Sequence, residues 1–243
     1  MSWEREARNW IAWARTPEHD AYWDYAPAFF ELVPPAGRAT LEIGCGEGRV
    51  ARDLAARGHR VTGVDSSGTL LEAARAAQPE AEFALADAAS LPFPDESFDL
   101  VVAYNSLMDI DDMPGAVREA ARVLEPGGRV CVCVTHPLAD AGRFESREPD
   151  AAFVVAGSYF GRRRFEETFA REGLTMTFRG WCYPLEAYVL AFEAAGLAIE
   201  TLREPKPRPK AVAADEGEAR WERVPLFLLL RLRKLAARDT ARE

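Results

Sequence analysis

Lysine is almost missing from this chain: Lys206, Lys210 and Lys234 are the only three in 243 residues. A phosphate-cradling loop that ends in Gly-Lys-Ser/Thr is therefore excluded from everything before residue 206. Basic side chains are nearly all arginine, and acidic residues outnumber basic ones 39 to 30, for a net charge of −9. That balance argues against a nucleic-acid partner, which demands a basic stripe. Cysteine is also scarce. Cys45, Cys131, Cys133 and Cys182 form no C-x-x-C pair and have no histidine at metal spacing, so no metal site is expected. Cys131 and Cys133, two apart, are expected on one face of one strand as buried free thiols. The longest apolar run near the C-terminus, residues 225–230, is too short to cross a bilayer, and MSWEREARNW carries no apolar signal core. The expectation is a soluble, cytoplasmic protein with no membrane partner. No internal repeat is present.

What remains is an ordinary globular composition, 48% hydrophobic and 28% charged, in a length that suits one elaborated domain. Residues 1–36 space Trp3, Trp10, Trp13, Tyr22, Trp23, Tyr25, Phe29 and Phe30 at three or four, which predicts short amphipathic helices forming a cap. From Arg38 the pattern alternates strand and helix. "RATLEIG", "HRVTGVD", "AEFALAD", "FDLVVAYN" and "RVCVCVTH" read as strands, and "GRVARDLAARG", "SSGTLLEAARAAQ" and "DMPGAVREAARVLEPGG" as helices. The serines Ser66 and Ser67 can cap the second of them, Asp112 is the N-cap of the third, and that last helix is expected to stop at Pro-Gly-Gly. Residues 37–136 thus predict a parallel sheet with helices on both faces and ligands at the strands' carboxyl ends. Residues 137–180 break the rhythm and hold a hairpin, "RFEETFA" and "LTMTFRG" about a turn at 171–173, expected as a lid. Residues 181–243 complete the core with a helix, "PLEAYVLAFEAAG", and two strands, "LAIETLRE" and "PLFLLLRLR". The charged, proline-rich connection between these strands is expected to be mobile.

The glycine turn "LEIGCGEG" narrows the ligand. Gly44 and Gly46 fit a dinucleotide fingerprint, but Arg49 holds the place of its third glycine and Gly48 comes one residue early. Glu42, at the end of the first strand, repels phosphate and suits an ammonium group beside a cationic centre, as in S-adenosylmethionine. Asp65, ending the second strand, suits a ribose diol in either a nicotinamide cofactor or S-adenosylmethionine. Asp87-Ala88, after the third strand, can address an adenine or merely cap a turn.

"LEIGCGEGRVARDLA", "VTGVDSS", "ADAASLPFPDESFDLVVA" and "REAARVLEPGGRV" together resemble the successive motifs of class I S-adenosylmethionine-dependent methyltransferases, nearest the quinone-biosynthesis branch. The resemblance covers roughly residues 38–135. It implies a Rossmann-like, seven-stranded, mostly parallel α/β sheet whose last two strands run antiparallel to each other. It also implies that Glu42, Gly44, Cys45 and Gly46 line the methionine end, Asp65 and Ser66 the ribose, and Asp87 and Ala88 the adenine. Asn105 would mark where cofactor meets substrate. The "YNSL" there replaces the Asn/Asp-Pro-Pro-Tyr/Phe of enzymes that methylate amino groups of DNA or protein glutamine, which lowers that substrate class.

The expected activity is methyl transfer to a small acceptor, O-methylation ahead of N- or C-methylation. The alternatives are an S-adenosylmethionine enzyme of other chemistry and a non-enzymatic binding module. His136, after the fifth strand, is a candidate general base or else an anchor for the loop before Pro137. Tyr22 and Tyr25 either close over the methionine moiety, as N-terminal aromatics do in many relatives, or pack in the core. Tyr159, Trp181 and Tyr183 either touch an apolar or aromatic acceptor or form the insertion's own core. Asp109, Asp111 and Asp112 are expected as helix caps on a solvated rim in preference to a metal cluster.

Overall fold

The computed structural model describes residues 3–236. After a 3-10 turn (Trp3–Arg5), two helices form the N-terminal segment, α1 (Ala7–Arg15) and α2 (Tyr22–Phe30). The alternating core follows as β1 (Thr40–Ile43), α3 (Arg49–Ala55), β2 (Val61–Asp65), α4 (Gly68–Ala77), β3 (Glu82–Leu85) and β4 (Phe98–Tyr104). A 3-10 turn (Leu107–Asp109) leads to α5 (Met113–Val123), β5 (Leu124–Thr135) and the single-turn α6 (Pro137–Asp140). Two small antiparallel pairs come next, β6 (Gly142–Phe144) with β7 (Phe153–Val155), and β8 (Arg163–Arg171) with β9 (Leu174–Cys182). α7 (Leu185–Ala194), β10 (Leu197–Arg203), α8 (Pro209–Ala214), a 3-10 turn (Glu216–Glu222) and β11 (Phe227–Lys234) complete the described chain.

The main sheet has seven strands in the order β3-β2-β1-β4-β5-β11-β10. β1 to β5 pair parallel, whereas β11 runs antiparallel to both β5 and β10. The strand order reverses between β1 and β4, and a crevice at such a reversal is where open α/β sheets bind ligands.

Strand alternation decides which side chains face which layer. Leu41, Ile43, Val132, Val134, Leu228 and Leu230 point to the face covered by α5 and α7. Val102, Tyr104, Cys131, Cys133 and Leu229 point to the face covered by α2 and α3, where they meet Tyr25, Phe29 and Leu54. Cys131 and Cys133 are buried free thiols on that one face, and burial pushes Cys131 up to about 12.

Local signals act as their chemistry requires. The Ser67 hydroxyl accepts from the Leu70 amide at 3.2 Å, and the Asp112 carboxylate from the Gly115 amide at 2.9 Å. Two expectations need correction. α5 ends at Val123, and β5 starts at Leu124 and runs on through Pro126-Gly127-Gly128, with its pairing to β4 shifted between Phe98 and Leu100. The connection between β10 and β11 is folded, not loose: α8 and the Glu216–Glu222 turn occupy it. Its charges find distant partners, Arg208 with Asp24 at 3.0 Å and Lys210 with Glu18 at 2.9 Å, and Arg147 with Asp215.

Candidate active site

The carboxyl ends of β1, β2, β4 and β5 open into a cavity of about 1360 Å3, whose walls also take in residues from the N-terminal helices, the β8–β9 hairpin and α8. Glu42 sits in its floor, 2% exposed, and its Oε2 has no hydrogen-bond partner. Burial, and then the charges of Asp65 and Glu47, push its carboxyl well above the usual range. An unfilled buried carboxyl oxygen fits an ammonium group, because a nearby cation favours the ionised form that burial disfavours.

The glycine turn is held tightly between strands. Gly44 lies at φ +70°, and a Cβ there would meet the Ser106 Cβ at 2.5 Å, so only glycine lets the turn pass the end of β4. The Gly44 and Cys45 amides both donate to the Val64 carbonyl, at 2.8 and 2.9 Å. The Gly46 amide donates to Asp65 Oδ2 at 2.8 Å and the Ser67 amide to Asp65 Oδ1 at 2.9 Å. Burial raises the Asp65 carboxyl. A carboxylate offers about four acceptor positions, so these two amides leave Asp65 capacity for a diol. Asp87 and Ala88 line the cavity beyond β3, and Asp87 Oδ1 also accepts from the Ala89 amide at 2.9 Å. Lining and turn-capping therefore coexist at Asp87.

Gly44, Cys45, Gly46, Ser66 and Asn105 all belong to the same wall. Asn105 takes a left-handed φ of +49°, tolerable for asparagine, and its Oδ1 accepts the Cys133 thiol at 3.2 Å. Tyr22 and Tyr25 line the cavity and are core residues at once, packed edge-on against Tyr104 and Phe227. The Tyr25 hydroxyl is buried without a partner, while that of Tyr22 donates to Asp53. Arg49, in the place of a dinucleotide loop's third glycine, ties the N-terminal segment down. It bonds Asp20 at 2.9 Å, donates to the Ala14 carbonyl at 3.3 Å and lies 3.9 Å over the Tyr22 ring.

Aromatic rings roof the cavity. Trp10 and Trp13 pack edge-on against Phe178, as does Phe169. Of the three predicted acceptor contacts, Trp181 alone lines the cavity. Its indole N–H donates to Asp111 at 2.8 Å, and Arg162 and Arg164 lie over its ring at 3.3 and 3.9 Å. Tyr183 is buried in the main core against Tyr188, and the Tyr159 hydroxyl accepts from the Leu185 amide at the start of α7. His136 is likewise outside the wall. Its Nδ1 accepts from the Leu138 amide at 3.0 Å as the N-cap of α6, and its Nε2 lies 2.9 Å from Glu204. Both ring nitrogens are engaged, and burial lowers its pKa. That geometry fits the loop anchor.

Asp109, expected on a solvated rim, is instead in the wall, where burial drives its carboxyl well above the usual range. Sequence reasoning passed over Asp140, Arg171, Arg179, Glu218 and Trp221 as site residues, and these line the cavity together with His19 of the N-terminal segment. His19 is buried, with Nδ1 3.3 Å from Glu172 and Nε2 without a partner. The only signal for Asp140 was its place one turn beyond a strand's carboxyl end. Glu218 and Trp221 lay in the stretch expected to be mobile. No cluster of metal-binding side chains occurs among the described residues.

Residues 41–132 match the family model described as a methyltransferase domain. The chain is similar to a demethylmenaquinone methyltransferase of Tropheryma whipplei, 38% identical over 122 residues, which cover 49% of this chain and 50% of the relative. A 27-O-demethylrifamycin SV methyltransferase of Amycolatopsis mediterranei is 39% identical over 134 residues, 47% and 49% of the two chains. The chain thus spans about half the length of the curated relatives it matches. Among solved structures, an S-adenosylmethionine-dependent methyltransferase from Mesorhizobium loti superposes with a TM-score of 0.69 at 26% identity, over 88% of this chain and 98% of that one.

Proposed function

We propose, from the premise that this chain carries a class I S-adenosylmethionine-dependent methyltransferase domain, that it methylates an oxygen of a small apolar or aromatic acceptor. The observation that carries this reading is the cavity's size and division. At about 1360 Å3 it exceeds the roughly 300–1,000 Å3 of a pocket for one ligand. The carboxyls of the cofactor motifs, Glu42, Asp65 and Asp87, line one part of it and Trp181, beside the turn after β4, lines another, which leaves room for a cofactor and an acceptor side by side.

The residues present fit S-adenosylmethionine. Glu42 offers a buried, unfilled oxygen to the amino acid end, Asp65 and Ser66 serve the ribose, and Asp87 with the Ala88 amide addresses the adenine. Bound there, the cofactor supplies a methyl group already activated on a sulfonium. The protein's own work is to align the acceptor and keep water out. Tyr22, Tyr25 and Arg49 hold the N-terminal segment over the cavity, and Trp181, beside the turn after β4, shapes the acceptor end. O-methylation is favoured by the carboxyl groups at that end, which suit a hydroxyl proton, and one similar protein is named for methylating 27-O-demethylrifamycin SV.

Thermal shift with S-adenosylhomocysteine beside NAD and NADP tests the cofactor: stabilisation by S-adenosylhomocysteine alone is expected, and stabilisation by the nicotinamide nucleotides alone would sink the reading. Incorporation of labelled methyl from S-adenosylmethionine into a metabolite extract tests transfer. Binding without incorporation would favour a sensing module or other chemistry at the same cofactor.

A further inference from the structure

Two further carboxyl groups line the cavity outside every cofactor motif. Asp109 belongs to the turn just after β4, and Asp140 to the turn of α6 just after β5. β4 and β5 are neighbours in the sheet, and the two acids feel each other's charge. Gly180 of β9 passes directly over Asp109, where a Cβ would meet Oδ1 at 2.8 Å, so the hairpin closes tightly on this corner.

The two differ in their surroundings. Asp109 is engaged by Trp3, whereas the Asp140 carboxyl accepts no hydrogen bond from the described residues. The groups facing Asp140 are Arg163 of β8, Cys182 of β9, Tyr188 of α7 and Asp109. Arg163 is the one cation among them; the thiol and phenol are pushed up by burial and stay neutral at pH 7.

We propose that Asp140 is the catalytic base of this site, taking the proton of an acceptor hydroxyl as its oxygen is methylated. The inference rests on the O-methyl transfer reading above. The acceptor oxygen forms its bond to the methyl carbon while the carbon–sulfur bond breaks with its electron pair going to sulfur. The hydroxyl proton goes to a carboxylate oxygen of Asp140. A sulfonium, a hydroxyl and a carboxylate thus become a thioether, a methyl ether and a carboxylic acid, with charge conserved. Burial, opposed by Arg163, places the Asp140 carboxyl at about 7, where a base balances availability against strength. Asp109, its carboxyl raised by burial, positions the acceptor by donating to it.

The test compares the full chain with its Asp140→Asn variant. Labelled methyl incorporation from S-adenosylmethionine into a metabolite extract is followed from pH 5.5 to 9. Wild type is expected to gain rate with a one-proton step near pH 7. The variant is expected to lose about 10²–10⁴-fold, the span of general-base catalysis, and to lose that step. Its affinity for S-adenosylhomocysteine should be unchanged. Its melting temperature at pH 8 should equal or exceed that of wild type, because a neutral amide replaces a buried charge; a merely structural aspartate would give a lower one. A variant within twofold of wild type, a wild-type rate with no step, or a variant that melts lower at pH 8 would overturn the proposal while leaving O-methyl transfer intact. Carboxyl titration by carbon-13 NMR reads Asp140 without any acceptor. A resonance that titrates near pH 7 and is missing in the variant supports a poised base even if wild type transfers no label, in which case the transfer reading alone fails; titration below pH 5 overturns the base.

Discussion

Glu42 shows how one side chain can report the charge of a ligand. In the free protein its carboxyl is buried, short of a partner on Oε2 and raised well above the usual range, so it holds its proton into the region where exposed glutamates have lost theirs. A ligand bringing an ammonium or sulfonium charge favours the carboxylate and expels that proton. Binding of S-adenosylhomocysteine, whose amino acid end is retained, should therefore release protons near neutral pH, and affinity should rise as pH rises. Calorimetry in buffers of different ionisation enthalpy measures the release. The Glu42→Gln variant should bind with little or none, and an unchanged release would place the proton on another group. The type and place of Glu42, Asp65 and Asp87 were legible in the sequence because each sits at a strand end in a pattern set by the backbone. Asp140 was not, since an aspartate in a short turn carries no periodic signal and its distinction comes from what covers it.

At the scale of elements, the β8–β9 hairpin was legible by its alternation of Phe165, Glu167 and Phe169 with Leu174, Met176 and Phe178, and the structure pairs Glu167 with Phe178 and Phe169 with Met176. What it packs on was not legible, because the deciding contacts join residues far apart in sequence. Arg179 reaches Glu6 at 2.9 Å and Glu166 at 3.2 Å, and Arg171 donates to the His19 carbonyl at 2.8 Å. The same holds for the connection before β11, whose charges looked solvated until Asp24 and Glu18 were brought to them. Partly exposed ion pairs are worth about 0.2–1 kcal/mol each, so Arg179→Ala should shift global stability by no more than about 1 kcal/mol. Local opening of the hairpin should rise several-fold all the same, read as faster trypsin cleavage after Arg171 in the ligand-free protein. Equal cleavage rates would mean that the packing of Trp10 and Trp13 on Phe178 holds the hairpin without the ion pair.

The molecule as a whole concentrates raised carboxyls around one cavity: Glu42, Asp65, Asp109, Asp140 and Glu218 all line it, and burial is the largest cause of the rise in each. An acid whose folded pKa exceeds its unfolded one binds more protons in the native state across the interval between the two. Stability then falls as pH rises through that interval and is greatest below it. The opposite contribution, from Glu6 and Glu119 with pKa values lowered by Arg179 and Arg122, is lost only as pH falls below the ordinary carboxylate range. The two together place maximum stability on the acidic side of neutrality, with the melting temperature declining between about pH 5 and 8. Melts across that range in one buffer series measure the decline, and a melting temperature that rises steadily to pH 8 would contradict it. A cofactor with a cationic end stabilises the ionised carboxyls that cause the decline, so S-adenosylmethionine should flatten the profile by stabilising most where the free protein is weakest. The stored cost of burying these acids thus becomes binding energy for a cationic ligand, which is how a chain of net charge −9 can hold a phosphate-free nucleoside at the ends of its strands.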